Sequence, residues 1–414
     1  MGIQLKYNQL LSISLAIVAF IQVVFPSIIA LAILILFVVV IKGWISKAIK
    51  FKFYPLSFLF VLFYLAYAIG VFYTHNESLA WKYLEYKLSF LIFPLLLSFR
   101  LKEGKLELNK IMLGFTIGVV IIMIYGLINS IICHLSGGVS CFVTVKISPV
   151  HHPSYFDAFL IFSMTASVLG TIKKWQFYSW KWVIPLLVFG FIFHLYSLSL
   201  AALLFLIFVI GILILCYIYK KLGLKALIIS LVLAPLAFYF CVTKVSFVRG
   251  EWNSAVWFAE KYLENPEEFL KSRTTGITGS EQRLIMWTVA VQEFKENPWG
   301  VGTANVDEVL GSRLLKTGQF YLAKKKLNPH NQYLQTGVEL GIFGLLIFLL
   351  IIIYGIYYSL KTKNWLLLIL IANLAFNCLF ESMLQRQSGV VFYTFWLSLL
   401  VLNQTNKSLN EQPV

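Results

Sequence analysis

The chain of 414 residues is 59% hydrophobic and only 13% charged, against roughly 45–50% and about 25% in soluble globular proteins. So few charges cannot cover a water-soluble fold of this length, whereas about twelve helices of about twenty residues would use about 240 positions. The net charge of +16 raises a nucleic-acid or anionic-surface partner, a reading that depends on where the charges fall.

Apolar runs bounded by Lys, Arg, Pro or polar clusters read as membrane spans: Leu10 to Phe25, Ser27 to Ile41, Pro55 to Tyr73, Leu84 to Phe99, Ile111 to Leu135, Pro153 to Thr171, Val183 to Ser199, Leu200 to Tyr219, Ala226 to Thr243, Gly337 to Leu360, Trp365 to Phe380 and Ser388 to Leu402. The first run lacks a small-residue cleavage motif and leads straight into the second, so it reads as a helix rather than a cleaved signal. With the amino terminus inside, the cytoplasmic segments hold 18 Lys and Arg, the short outer loops hold four (Lys82, Lys87, Lys146, Arg386), and one long loop holds twelve. Short cytoplasmic loops carry the basic excess in membrane proteins, so both termini are expected in the cytoplasm and the long loop outside. The charge thus becomes a topology signal and no nucleic-acid surface is expected. The expected fold is an all-α polytopic membrane protein of about twelve transmembrane helices. Its regions are residues 1–243 (nine spans), 244–336 (an extracytoplasmic helical loop between spans nine and ten) and 337–414 (three spans and a short tail).

The long loop balances twelve basic against ten acidic residues. Its Trp252, Trp257, Tyr262, Leu263, Phe269 and Leu270, interleaved with Glu and Lys, predict amphipathic helices on the membrane or on the spans. Loops this long usually carry function. Cys133 and Cys141 share the outer side and can pair across a Gly-rich turn; Cys216, Cys241 and Cys378 read as small core hydrophobes. No cysteine spacing suits a metal.

Two stretches carry candidate chemistry. Ser280-Glu281-Gln282-Arg283-Leu284-Ile285-Met286-Trp287 leads to Pro298-Trp299-Gly300-Val301-Gly302. Thr278 or Ser280 can cap a helix whose face is Arg283, Trp287, Ala290 or Val291, and Phe294, and Pro298 with the glycines ends it. An arginine near a helix start suits an anion, and its planar fork suits phosphate oxygens; a solvated surface arginine is the plainer alternative. The second stretch is Asn328-Pro329-His330-Asn331-Gln332-Tyr333-Leu334-Gln335-Thr336-Gly337-Val338-Glu339-Leu340-Gly341-Ile342-Phe343-Gly344. His330 lies at the membrane-facing end of the loop with a polar retinue, where it can serve as base, acid or hydrogen-bond donor, or simply pack.

The combination resembles the bacterial O-antigen ligase and polymerase superfamily over about the last two-thirds of the chain. The resemblance rests on the Gln-Arg-x-x-x-Trp helix ending in Pro-x-Gly-x-Gly and the downstream His-Asn-x-Tyr-Leu-x-x-x-x-Glu-x-Gly-x-x-Gly. It is supported by His151-His152-Pro153-Ser154-Tyr155-Phe156 and Phe380-Glu381-Ser382-Met383-Leu384-Gln385-Arg386-Gln387. What it implies is a membrane-embedded, metal-independent, inverting glycosyltransferase without cofactor. Such an enzyme takes a glycan from undecaprenyl pyrophosphate on the outer face of the bacterial inner membrane. A ligase passes it to the lipid A core oligosaccharide, and a polymerase to another carrier-linked glycan. By position, Arg283 matches the arginine that engages the pyrophosphate and His330 the active-site histidine, with Asn331, Tyr333, Glu339, His151, His152, Glu381 and Arg386 as substrate-binding candidates. One match fails: many members carry Ser-Arg where this chain reads Ser199-Leu200, so Arg386, Arg249 or Arg273 would have to supply the second phosphate contact.

The chemistry fits these residues independently. Cleaving a sugar–pyrophosphate bond builds negative charge that fixed arginines stabilise. A metal would serve too, but the outer loops before the long one offer only Glu77 and Glu85. Glu267-Glu268 and Asp307-Glu308 read as solvated charges, Glu381 with Arg386 as a membrane-edge ion pair, and Asp157 as a buried acid with an unseen partner. A flippase or secondary transporter is the main alternative. Transporters favour mid-membrane ionisable groups and internal repeats, whereas here the unusual residues gather at the outer edge.

Overall fold

The structure, a computed structural model, describes residues 2–197, 200–244, 246–272 and 279–408. Arg273, Thr278, Leu198 and Ser199 lie outside the described residues, as do the side chains of Leu200, Cys216, Cys241, Trp252, Glu267 and Ser280. Helices α1 (Gly2–Val24) and α2 (Ile29–Ile45) meet at a 3-10 turn over Pro26–Ile28, and α3 (Pro55–Val71) starts on a proline whose missing N–H costs nothing there. The fourth expected span is instead two pieces, α4 (Glu77–Lys87) and α5 (Ser89–Leu96). The physical reason is composition: α4 mixes Glu, Lys and aromatic side chains, leaves Trp81 exposed and is capped by the Asn76 side chain on Leu79 N–H, the character of an interfacial helix.

Next come α6 (Leu108–Leu135), α7 (Pro153–Ile172), α8 (Trp180–Ser197) and α9 (Leu200–Lys244). Helix α9 joins the expected eighth and ninth spans across a break at Gly223, where φ is +83°. The segment between α9 and the first helix of the C-terminal region holds α10 (Ser246–Glu264), α11 (Pro266–Ser272), α12 (Gly279–Glu296), α13 (Val306–Lys316) and α14 (Phe320–Lys325). The chain closes with α15 (Gln332–Lys361), α16 (Trp365–Asn377) and α17 (Gln387–Ser408). Helix α15 starts five residues before the expected span, because the Asn331 side chain caps it by accepting from Leu334 N–H.

Among the described residues six helical segments are long and apolar enough to cross a membrane: α1, the α2 segment, α6, α7, α8 and α15; α3 and α16 are apolar but shorter. This is a membrane protein. One departure from all-helical structure is a two-stranded antiparallel ribbon, β1 (Ile49–Phe51) against β2 (Phe99–Leu101), with Lys50 opposite Arg100.

Packing follows side-chain size. Gly114 and Gly118 lie one turn apart on α6, and a Cβ at either would press on the Ala16 or Phe20 carbonyl of α1, so the two backbones approach as small residues allow. Helix α17 is apolar on every side and is buried on every side from Val390 to Leu402, the signature of a central helix. Its Phe392 and Trp396 meet Phe115, Phe159 and Phe162. The α10–α14 segment has a separate apolar cluster that includes Phe269, Leu270, Ile285, Met286, Val289, Val306 and Leu310. Arg313 of α13 bridges Glu293 and Glu296 of α12. Cys133 and Cys141 are joined in a disulfide.

Candidate active site

His330 sits in the turn that feeds α15. Its φ of +50° is left-handed, a conformation that costs a non-glycine residue roughly 1 kcal/mol or more. Neighbours hold it there: the Asn328 carboxamide oxygen accepts the His330 N–H at 2.9 Å, and the Trp287 indole of α12 donates to the Pro329 carbonyl at 2.9 Å. Asn331 also donates to the Leu379 carbonyl, and Gln332 N–H to that of Cys378. The turn is thereby fastened to the 378–386 connection between α16 and α17.

That connection delivers Glu381. Its carboxylate oxygens lie 3.3 and 3.4 Å from His330 Nδ1, with the imidazole one-quarter exposed and the carboxyl almost wholly buried. Burial pushes the Glu381 carboxyl up. The hydrogen bond and charge of His330, the charge of His152 and the Ser382 N–H outweigh it and leave the group below its ordinary value. An ionised carboxylate only accepts hydrogen bonds, so Nδ1 carries a proton, and in the neutral imidazole the lone pair is on Nε2. Because the folded value is depressed, the stability this pair contributes is present above the ordinary glutamate range and is lost as pH falls through the folded value. An infrared carboxylic-acid band that Glu381→Gln removes should therefore be absent near neutral pH and grow only below about pH 4.5, the ordinary value; a band already present at about pH 6 would contradict the pairing.

Arg283 lies four residues before Trp287 on α12, hence on the same face one turn earlier. It is half-buried, and among the described residues its guanidinium has no hydrogen bond or ion pair. The Pro298–Gly302 segment that follows α12 locks into a break in α15. At Gly341 φ is +67°, and the opened helix offers the Val338 and Glu339 carbonyls to the Val301 and Gly302 N–H groups while Ile342 N–H donates to the Pro298 carbonyl. The two backbones touch: a Cβ on Gly341 would lie 2.2 Å from the Trp299 carbonyl carbon, and one on Gly300 would lie 2.5 Å from Gly341 N. Only glycine fits either place.

Several of the expected substrate-binding residues hold partners within the fold. Tyr333 donates its hydroxyl to the Ala375 carbonyl and packs on Phe348. Glu339, fully buried, accepts from Ala304 N–H, Gln335 and Gln385. His151 is buried between the Val23 carbonyl (2.7 Å from Nε2) and the Ser388 hydroxyl (3.0 Å from Nδ1), and burial pushes its imidazole down to about 4. His152 lies within the electrostatic reach of the His330–Glu381 pair: its Nδ1 lacks a partner among the described residues, and burial lowers its basicity in the combined field of Glu381, Arg386 and His330. The expected Glu381–Arg386 ion pair is corrected. Arg386 is exposed and Glu381 takes His330, 51 residues away in sequence, because Asn331 and Gln332 fasten the His330 turn to the connection that carries Glu381. Arg249 is exposed. Asp307 is half-buried rather than solvated, its carboxyl pushed up to about 6 by burial and by Glu339. Asp157 has its partners, the Ser197 hydroxyl and His194 Nδ1, the latter at 3.2 Å.

Sequence reasoning did not single out Lys87, Gln332 or Tyr155. Lys87 donates to the Leu384 carbonyl, Gln332 accepts Leu384 N–H, and Tyr155 donates to the Ser382 carbonyl. A lysine inside an apolar run was the available signal for the first. Among the described residues no three His, Cys, Asp or Glu side chains converge as a metal cradle.

The segment that contains Arg283, His330 and the Gly341 break, residues 185–349, matches the family described as O-antigen ligase. Part of the chain is also 30% identical, over 201 residues, to an uncharacterized protein of Haemophilus influenzae. That alignment covers 45% of this chain and 47% of the relative, so the chain spans about half the length of the curated relative it matches. The O-antigen ligase match includes the α12 and α15 signatures and ends before Glu381.

Proposed function

We propose that this protein is an inverting glycosyltransferase of the bacterial inner membrane, with both termini cytoplasmic and the outer segment periplasmic. It moves a glycan from undecaprenyl pyrophosphate to the lipid A core oligosaccharide. The observation that carries this reading is the His330–Glu381 pair beside a helix that presents Arg283, with neither Nε2 nor the guanidinium holding a partner among the described residues. Nε2 takes the proton of the acceptor hydroxyl as that oxygen attacks the anomeric carbon. The bond from that carbon to the pyrophosphate oxygen breaks on the opposite face, and the carrier leaves with its negative charge against Arg283. The imidazolium then releases its proton to water or to the departing phosphate, with Glu381 stabilising it meanwhile.

Gels of lipopolysaccharide from a deletion strain complemented with wild type or Arg283→Ala test this. Loss of the gene should leave carrier-linked polymer unattached to core, and Arg283→Ala should fail to restore attachment. Cores capped with a single repeat would instead assign polymerisation onto carrier-linked glycan, the second reading of the same family. An unchanged gel on deletion, or full complementation by Arg283→Ala, would refute the assignment.

A further inference from the structure

The last residue of α4, Lys87, is fully buried. Its ammonium donates to the Leu384 carbonyl at 2.9 Å and to the Gln385 side-chain oxygen at 3.1 Å, and it lies 4.2 Å from the centre of the Tyr67 ring. Three N–H groups thus meet three acceptors. A buried cation is costly unless balanced. The balance arrives through Gln385, whose amide nitrogen donates to Glu339 Oε2 at 2.9 Å. Glu339, also fully buried, accepts in turn from Ala304 N–H in the segment after α12. The amide dipole of Gln385 is therefore held in one orientation, cation on its oxygen and carboxylate on its nitrogen.

The clamped peptide group is three residues past Glu381. Leu384 has both backbone groups taken by side chains, the carbonyl by Lys87 and the N–H by Gln332 of α15 at 2.7 Å. The connection has little regular structure of its own, so its course is fixed by such outside partners. We propose that Lys87 is a positioning residue: by clamping Leu384 and Gln385 against the Glu339 charge, it holds Glu381 on His330. This rests on the transfer reading above.

The test is a double-mutant cycle on the full chain in nanodiscs, with lipid-pyrophosphate glycan as donor and core oligosaccharide as acceptor. Lys87→Met should lower kcat about tenfold or more, as small displacements of catalytic groups do, with donor KM changed less than about twofold. On a Glu381→Gln background the same substitution should cost nothing further. A multiplicative loss in the double variant would mean that Lys87 only stabilises the bundle, and wild-type kcat in Lys87→Met would overturn the proposal directly. Gln385→Leu, at a half-buried position, repeats the cycle with the same two outcomes if Lys87→Met does not accumulate. The Glu381 infrared band reads the geometry without turnover: a carboxyl drawn off His330 keeps only the effect of burial, so Lys87→Met should bring the band in at higher pH. An unmoved band overturns the positioning role. Wild type that transfers nothing, with a band that still depends on Lys87, overturns the transfer reading and leaves the clamp standing.

Discussion

His330→Ala is expected to lower glycan transfer by about 10²–10⁴-fold, the usual worth of a general base, while the protein still inserts and folds. The substitution removes the imidazole whose Nε2 is proposed to take the acceptor proton, and it leaves Glu381 buried without its partner. Alanine at φ +50° also carries a backbone cost, so the companion variant His330→Asn separates the two effects. Asparagine tolerates the left-handed conformation but cannot act as a base. It should be as slow as the alanine variant and melt closer to wild type in detergent. Transfer rates near wild type in either protein would remove His330 from the mechanism.

Gly341→Ala is expected to damage stability and activity together. Its Cβ would overlap the Trp299 backbone, which cannot rotate away as a side chain can. Displacing the Pro298–Gly302 segment would strand the N–H groups of Val301, Gly302 and Ile342, at about 1–3 kcal/mol for each group left unpaired. Alanine at φ +67° and ψ −164°, a region essentially confined to glycine, adds about 1–3 kcal/mol. The melting temperature should therefore fall by several degrees or more, and transfer should fall because α12, which carries Arg283 and Trp287, loses its anchor. Gly211→Ala in α9 is the control, since a Cβ there meets nothing within 4 Å. Equal behaviour of the two variants would show that the break in α15 is not the socket described.

The span pattern was legible because burial in lipid demands long apolar runs, and the His330 turn because a dense polar cluster at the mouth of such a run is costly to keep without a use. What local sequence could not supply was pairing at a distance. Glu381 was matched with Arg386, five residues away, whereas the fold gives it His330; Asp157 found His194 only once α7 and α8 were side by side. The glycines of the Pro-x-Gly-x-Gly and Glu-x-Gly stretches were visible as motif positions. Their reason, two backbones in contact, belongs to the assembled bundle. The break of the fourth span at Leu88 was hidden for the opposite cause: Leu84 to Phe99 is apolar enough for a span, while most of the mixed composition of α4 lies before Leu84 and the partner of Lys87 lies in a distant connection.

Helix α17, which the bundle surrounds, follows all its neighbours in the chain. During synthesis the earlier helices therefore reach the membrane with their inward faces uncovered, and the slot between them closes only when residues 387–408 arrive. The 378–386 turn is drawn into place by the same insertion. Glu381 meets His330 only at that moment, so on the proposed reading the site is assembled last, when the central helix is seated.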